Sequence, residues 1–298
     1  TAFRHQGGIL LEEGKRAQTQ VIVLISIVIL GSCLGNLSQT ALNAMFSGMA
    51  ADFGVQMELG QWVTTLYMLV LGITVPVVTY LMRRFPLKNV VLAALLLLLI
   101  GAAIDVAAPS FEVLVAGRAL QAVSAGITMP MMISIVMTSI PRDKQATVMG
   151  IAGIAMGFAP NIGPTIGGWM IGFAGWRSFF VALFVCALVL LLLAAVLITR
   201  RPQANSSARL DVLSLLLCAL GFGGLLLSNA SSFGLASPYI WVPAILGALF
   251  LALYLRRQKH VEHPLTNLRI FDSWRYRVSF WAANALFASF MGITLIIP

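Results

Sequence analysis

The chain has 298 residues, of which 59% are apolar and only 10% are charged, and its mean hydropathy is +0.94. A water-soluble domain carries about half apolar and about a quarter charged residues, so this composition excludes one. The net charge of +9 does not indicate nucleic-acid binding, because the basic residues lie in short loops and form no basic face with interleaved aromatic side chains. We therefore expect an all-α, polytopic membrane protein embedded in the lipid bilayer.

Apolar blocks of about 20 residues recur along the chain, and each is long enough to cross roughly 30 Å of hydrocarbon as a helix. Cutting the chain at its polar loops predicts nine transmembrane helices. They cover approximately residues 21–45, 61–82, 89–108, 111–140, 145–172, 177–198, 212–233, 239–255 and 277–298.

The positions of the lysines and arginines predict the orientation of these helices. Nearly all of the 19 basic residues fall in the leader and in the loops after the second, fourth, sixth and eighth helices. Short loops rich in Lys and Arg stay in the cytoplasm, so we expect a cytoplasmic N-terminus in a multi-pass protein of the cell membrane.

This pattern also predicts the organisation of the chain into segments. They are a cytoplasmic leader (1–20), six helices (21–198), a cytoplasmic linker (199–211), two further helices (212–255), a cytoplasmic loop (256–276) and a ninth helix (277–298). Apolar residues within the loop favour a short helix lying on the membrane face.

Polar side chains inside the first predicted helix share one face. Asn36, Gln39 and Asn43 are spaced three and four residues apart. Such a stripe either lines a polar cavity or forms hydrogen bonds to neighbouring helices.

Ionisable residues inside the third and fourth predicted helices are candidates for function. Arg118 lies about seven residues, or roughly 10 Å, from the outer end of its helix, where an arginine costs about 2.5–3.5 kcal/mol to insert. It either faces a cavity or partner, with Gln121 on the same face, or extends to the outer interface. Asp105 is either a proton site and counter-ion of Arg118 or a carboxylate exposed at the interface.

The fifth predicted helix contains many small residues and two prolines. Small side chains recur every four residues, which lets another helix approach closely. Pro160 and Pro164 each remove an amide donor and favour a kink, so this helix is either a packing seam or a hinge. The glycines assigned to this motif are Gly153, Gly157, Gly163, Gly167 and Gly168.

The sequence contains no catalytic constellation. It has no glycine-rich phosphate loop, no reachable set of serine, histidine and acid, and no paired carboxylates, so we expect no enzyme activity and no cofactor. The three cysteines and three histidines lack metal-ligand spacing, so we expect no metal.

Four stretches carry a resemblance to a known family. The antiporter motif of the fifth helix is similar to GIAMGFAPNIGPTIGGW, and the fourth-helix motif is similar to GRALQAVSAGITMP. The end of the family's first helix is similar to LSQTALNAMFSGMAADFGV, and the loop before its second bundle is similar to HPLTNLRIF. The chain thus resembles the major facilitator superfamily, specifically its fourteen-spanner drug:proton antiporter branch. This resemblance implies that residues 21–198 form a first six-helix bundle and that residues 212–255 are the two additional helices of that branch. It also implies that residues 277–298 are the first helix of an incomplete second bundle and that about five helices lie beyond this chain.

The chain departs from the family pattern at two places. In the loop after the second helix it keeps Arg84 and Lys88, but Thr79 stands at the usual first glycine and Arg83 at the usual acid. Ser38 stands where many relatives carry an acid in the first helix. A coupling carboxylate is therefore either Asp105 or lies outside this chain.

The resemblance implies a secondary transporter that exports amphipathic, drug-like small molecules against proton entry by alternating access. Its partners would be a small-molecule substrate, protons and the bilayer, with the substrate's identity and the oligomeric state left open. The alternative is a truncated, non-transporting membrane remnant or a helical interaction subunit. A membrane-embedded enzyme is disfavoured, because no cluster of catalytic residues lies at one depth.

Overall fold

The computed structural model describes residues 2–56, 58–199, 211–230, 238–261, 265 and 268–296. Within these residues the protein is all-α, as predicted, and each predicted apolar block coincides with one α-helix. The helices are α1 (Ala2–Phe53), α2 (Glu58–Arg84), α3 (Leu87–Ala107), α4 (Phe111–Ser139), α5 (Arg142–Ala174), α6 (Trp176–Leu197), α7 (Val212–Ala230), α8 (Pro238–Gln258) and α9 (Trp274–Ile296), with a 3₁₀-helix, η1 (Leu268–Asp272), before α9.

Within the part of the chain that the structure describes, six helices are long and apolar enough to cross a bilayer. The apolar stretches within α1–α6 are Thr19–Phe53, Trp62–Arg84, Leu87–Ala107, Phe111–Ser139, Arg142–Gly172 and Trp176–Leu197. Helix α7 contains a shorter apolar stretch, Val212–Ser228. That α7, α8 and α9 also cross the membrane stays a prediction.

Helix α1 is longer than predicted at both ends. It runs without a break from Ala2 to Phe53, because no proline interrupts this part of the sequence. The next residue is Gly54, whose φ of +64° is accessible to glycine at little cost. The amide of Val55 donates to the carbonyl of Ala50 at 3.0 Å, which satisfies one of the last carbonyls of the helix.

The first six helices pack into one bundle. Helix α1 contacts α4, α5 and α6, while α3 lies between α4 and α6, and α2 packs on α4. The two larger clusters of buried apolar side chains lie around Val28, Leu95 and Ile135 and around Met45 and Phe180. On α1 and α4, buried polar residues lie between these two clusters.

Helices α7 and α8 form an antiparallel hairpin that packs against α2. Glycines permit this close approach, since a Cβ atom on Gly224 would come within 2.7 Å of the carbonyl oxygen of Pro243. Asp211 accepts a hydrogen bond from the amide of Ser214 at the start of α7. Its carboxylate also pairs with Arg257 at the end of α8, at 3.0 Å.

The structure describes only parts of the predicted linker and the predicted loop. Residues 200–210 of the linker, and residues 262–264 and 266–267 of the loop, lie outside the described residues. A short helix was expected in the loop, and η1 lies there and packs against α9. The division into cytoplasmic and membrane segments stays a prediction.

Candidate functional site

A layer of polar side chains is buried in the middle of the bundle. It consists of Ser38 on α1, Asp105 on α3, and Arg118 and Gln121 on α4, none of which is more than 1% exposed. Arg118 therefore does not extend to the outer interface, and Asp105 is not an exposed carboxylate. The structure brings both together with Gln121, as their shared candidate role requires.

Hydrogen bonds join these four side chains in one direction, from cation to anion. Nη1 of Arg118 donates to Oγ of Ser38 at 2.5 Å and to Oε1 of Gln121 at 2.7 Å. Oγ of Ser38 donates to the same Oε1 at 2.8 Å, and Nε2 of Gln121 donates to Oδ2 of Asp105 at 2.6 Å. The amide of Gln121 thus connects the guanidinium to the carboxylate, and such chains polarise each member in turn.

Tyr67 on α2 covers the guanidinium of Arg118. The Cζ atom of Arg118 lies 4.6 Å from the centre of the tyrosine ring, a cation–π distance. The tyrosine hydroxyl donates to the carbonyl of Gly35 at 3.2 Å, so α2 is tied to α1 at the same level. Tyr67 was not among the residues predicted from the sequence. The available signal was its hydroxyl group, which needs a hydrogen-bond partner inside a membrane helix.

Two buried atoms of this layer have no hydrogen-bond partner: Oδ1 of Asp105 and Nε of Arg118. Leaving a buried polar group unpaired costs about 1–3 kcal/mol, and more for a charged group. The Oδ1 atom of Asp105 is one of the two positions where the carboxyl group can carry a proton, and its other oxygen is already bound to Gln121. A proton can therefore be held on Oδ1 without displacing the amide.

The three amide side chains predicted on α1 lie apart from this layer. Nε2 of Gln39 donates to Sδ of Met68 at 3.2 Å, and Oγ1 of Thr64 donates to Oδ1 of Asn43 at 3.3 Å. Asn43 is exposed, and Asn36 and Gln39 are half-buried. The stripe thus faces α2 and an open surface of the bundle, while Ser38, one residue from Gln39, turns inward.

Helix α5 uses only part of its glycine motif to contact α1. A Cβ atom on Gly163 would lie 3.0 Å from the carbonyl oxygen of Leu37, and one on Gly167 would lie 2.8 Å from that of Ala41. In contrast, a Cβ atom would meet no other atom within 4 Å if it were added to Gly153, Gly157 or Gly168.

The two prolines of the motif do not interrupt this helix. Helix α5 stays α-helical through Pro160 and Pro164, and the side-chain amide of Asn161 donates to the carbonyl of Gly157 at 2.7 Å. The packing seam is the face that carries Gly163 and Gly167. The hinge stays a prediction.

The two cations retained from the loop motif have different surroundings. Arg84 is exposed at the last residue of α2. Lys88 is half-buried in the first turn of α3, and its Nζ donates to the carbonyl of Ala195 in the last turn of α6 at 2.6 Å. A cation at a helix C-terminus is favourable because the carbonyl groups there carry partial negative charge.

Apolar helices of bilayer length surrounding buried charged groups define a polytopic membrane protein with an internal polar site. The chain belongs to the Major Facilitator Superfamily, whose family model matches residues 28–298. The resemblance stated from its motifs is therefore confirmed.

Curated relatives agree with the predicted multidrug branch of this family. The chain is 32% identical to the uncharacterized MFS-type transporter YcnB of Bacillus subtilis strain 168, over 93% of this chain and 59% of that protein. It is 33% identical to the lincomycin resistance protein LmrB of the same organism, over 88% of this chain and 56% of that protein. It is 28% identical to a multidrug resistance protein B homolog of Mycobacterium tuberculosis, over 91% of this chain and 51% of that protein.

The chain thus spans 51–59% of the length of these relatives. Among solved structures, it is similar to the peptide transporter POT in complex with sulfate, with a TM-score of 0.58 and 15% identity over 83% of this chain and 54% of that one. A likeness at this identity concerns the fold alone. The sequence comparisons therefore place the chain in a family of membrane transporters.

Proposed function

We propose that the protein is a proton-coupled exporter of amphipathic, drug-like small molecules, with its N-terminus in the cytoplasm. Support comes from its family and from the drug-resistance names of its relatives. Export would proceed by alternating access, in which the α1–α6 bundle rocks against a second bundle around a cavity at the membrane midplane.

The observation that carries this proposal is the hydrogen-bonded chain from Arg118 through Gln121 to Asp105. Without a proton, the carboxylate accepts from Gln121, and its charge offsets the guanidinium through the amide. A proton taken up on Oδ1 neutralises the carboxyl group, so the buried charge of Arg118 loses its counter-ion. A buried charge without a counter-ion is costly, and this cost would favour a rearrangement where α1, α3 and α4 meet.

The substrate surface we propose is the stripe of Asn36, Gln39 and Asn43 together with Met68. Amide groups on an open face of a membrane helix are too costly to leave in lipid, so they indicate a water-filled cavity or a second bundle. Amides bind neutral polar groups, and methionine adapts to apolar groups of varied shape. These four side chains carry no formal charge, which favours substrates that mix uncharged polar groups with apolar surface.

Helix α5 would be the hinge and outer seal of the rocking motion. The face that carries Gly163 packs against α1. Within the described part of the chain, Gly153, Gly157 and Gly168 contact no other helix, so a moving partner could pack against them. Pro160 and Pro164 remove two amide donors near the middle of the helix, so this region bends more easily than an intact helix.

This function can be tested by measuring transport by the full-length protein. Everted membrane vesicles should accumulate lincomycin when a proton gradient is imposed and lose it when a protonophore collapses the gradient. Asp105→Asn should abolish the gradient dependence, whereas Asp143→Asn, an exposed acid at the start of α5, should leave it intact. Accumulation that ignores the protonophore would refute proton coupling, and absence of accumulation for lincomycin and for a panel of amphipathic dyes would refute drug export.

A further inference from the structure

One short segment of α2 has two different surroundings. Tyr67 points into the bundle, where its side chain is 1% exposed and its ring lies over the guanidinium of Arg118. Its near neighbours Thr64 and Met68 contact two amide side chains of the α1 stripe, and Met68 is exposed. The segment therefore contacts both the buried polar layer and the proposed substrate surface.

Three hydrogen bonds join this segment to one face of α1. Their partners on α1 are Gly35, Gln39 and Asn43, which are spaced four residues apart and so lie along one stripe of that helix. Elsewhere α2 packs mainly on α4 and α7 rather than on α1. A displacement of Tyr67 would therefore change how α2 meets the stripe, because these side-chain bonds attach the two helices to each other.

The guanidinium of Arg118 is held along one edge and over one face. Its hydrogen bonds to Ser38 and Gln121 both leave from Nη1, and its Nε has no partner. The ring of Tyr67 lies over it at 4.6 Å, and an aromatic ring attracts a cation more strongly where water is excluded. The ring therefore offsets part of the same charge that Asp105 offsets through Gln121.

A proton on Asp105 would change the balance between these two groups. Once the carboxyl group is neutral, the ring of Tyr67 is left to offset the guanidinium, which would be drawn toward it. Movement of the ring would carry Thr64 and Met68 along, because all three belong to two turns of one helix. The charge of the buried layer would thus be felt at the open surface without any contact between proton and substrate.

We propose that Tyr67 is a positioning residue that couples the proton site to the substrate surface by holding α2 against Arg118. It acts through the guanidinium on one side and through the bonds to α1 on the other, and it touches neither the proton nor the substrate. This inference rests on the proposed function, which supplies the proton site on Asp105 and the substrate surface on the α1 stripe.

Hydrogen exchange of residues 62–70 in the purified full-length protein, measured by mass spectrometry, tests this coupling without a substrate or a proton gradient. Asp105→Asn replaces the carboxylate by an uncharged group of the same shape. It should change the exchange rate of this segment about fivefold, the lower end of the usual range for coupled sites. In a Tyr67→Leu background the same substitution should change the rate less than about twofold. A Tyr67→Phe background keeps the ring and should retain most of the change.

Two further variants separate coupling from folding. Tyr80→Leu, at a half-buried position on the same helix, is the matched control and should leave the full response to Asp105→Asn. Pentafluorophenylalanine at position 67 covers the case in which Tyr67→Leu does not fold. Its shape is close to that of phenylalanine, but its fluorine atoms withdraw negative charge from the ring face, so it should abolish the response that Tyr67→Phe retains.

The role of Tyr67 and the proposed function fail in different measurements. An equal response to Asp105→Asn in wild type and in Tyr67→Leu, or equal responses with the two ring variants, would overturn the role of Tyr67. A wild-type segment that does not respond to Asp105→Asn would overturn coupling through α2 even where export depends on protons. Accumulation of lincomycin that ignores a protonophore, in contrast, refutes proton coupling itself and is measured on the wild-type protein.

Discussion

The Oδ1 atom of Asp105 occupies the space that a side chain on Gly117 would need. A Cβ atom on Gly117 would lie 2.1 Å from that oxygen, and one on Gly101 would lie 2.6 Å from the carbonyl oxygen of Gly117. Helices α3 and α4 therefore cross almost backbone to backbone beside the carboxylate. This crossing places Asp105 within reach of Gln121 and at the same time excludes other donors from Oδ1.

Gly117→Ala should therefore disrupt the buried polar layer. The added methyl group must displace Asp105 or separate α3 from α4, at a cost of about 1–3 kcal/mol for overpacking. We expect a lower melting temperature and loss of transport. Gly153→Ala is the matched control, because its Cβ meets no atom within 4 Å and alanine favours the helix by about 1 kcal/mol. Equal melting temperatures for the two variants would contradict the close crossing.

Arg118→Ala should abolish export while the protein remains in the membrane at normal abundance. Export fails because the guanidinium is the donor for both Ser38 and Gln121, so its loss removes the start of the hydrogen-bonded chain. Cell resistance and quantitative immunoblotting of membranes measure the two effects. Arg142→Ala, at an exposed position, serves as control. Unchanged resistance in Arg118→Ala would show that the proposed role is wrong.

A carboxylate at position 38 should substitute for Asp105. Oγ of Ser38 is 2.5 Å from Nη1 of Arg118, so Ser38→Asp would place an acid directly against the guanidinium. We expect Asp105→Asn to lose proton-dependent accumulation in vesicles and the double variant with Ser38→Asp to recover part of it. Ser38→Asn in the same background provides the control without a charge. Recovery in both double variants would mean that charge at this position is irrelevant.

The ion pair at the end of the α7–α8 hairpin should make its stability depend on pH. Partial burial by itself raises the pKa of Asp211, but hydrogen bonds from Arg257 and Ser214 outweigh it and lower the pKa from 3.8 to about 2. A lowered pKa stabilises the folded state above the unfolded-state value, and this contribution is lost as the pH falls from about 4 through about 2.

Asp211→Asn keeps a side-chain acceptor for the start of α7 but removes the charge that pairs with Arg257. It should therefore destabilise the hairpin near neutral pH by about 0.2–1 kcal/mol, the usual contribution of an exposed ion pair. Hydrogen exchange of the α7 amides at pH 7 and at pH 2.5 measures this, with intrinsic exchange rates corrected for pH. The difference between variant and wild type should shrink at the lower pH. Asp272→Asn, at an exposed position, should show no such difference. A gap between Asp211→Asn and wild type that is as large at pH 2.5 as at pH 7 would contradict the role of this carboxylate.

The helices could be predicted from the sequence because hydropathy acts locally. An apolar block such as 89–108 must satisfy its own backbone hydrogen bonds in lipid, so its composition alone indicates a helix. The extension of α1 to Phe53 was missed, since residues 46–53 have no long apolar run and their helical state follows from the absence of a breaker before Gly54.

The candidate site could be predicted only in part. Arg118 and Gln121 share one helix face, so their proximity follows from spacing, and ionisable residues in apolar helices indicate function by their cost. The inward position of Ser38 and the contact of Tyr67 with Arg118 depend on how α1 and α2 are rotated against α4. That rotation depends on packing over the whole bundle, and no local pattern encodes it.

The sequence by itself therefore determined the number and approximate limits of the helices and the residues that are too costly to leave in lipid. Only the tertiary structure decided that Asp105 is buried rather than exposed, that Ser38 rather than the amide stripe belongs to the polar layer, and that three of the five motif glycines of α5 remain open. The physical reason is distance along the chain. Ser38 and Arg118 are 80 residues apart, so their contact exists only once several helices have packed together.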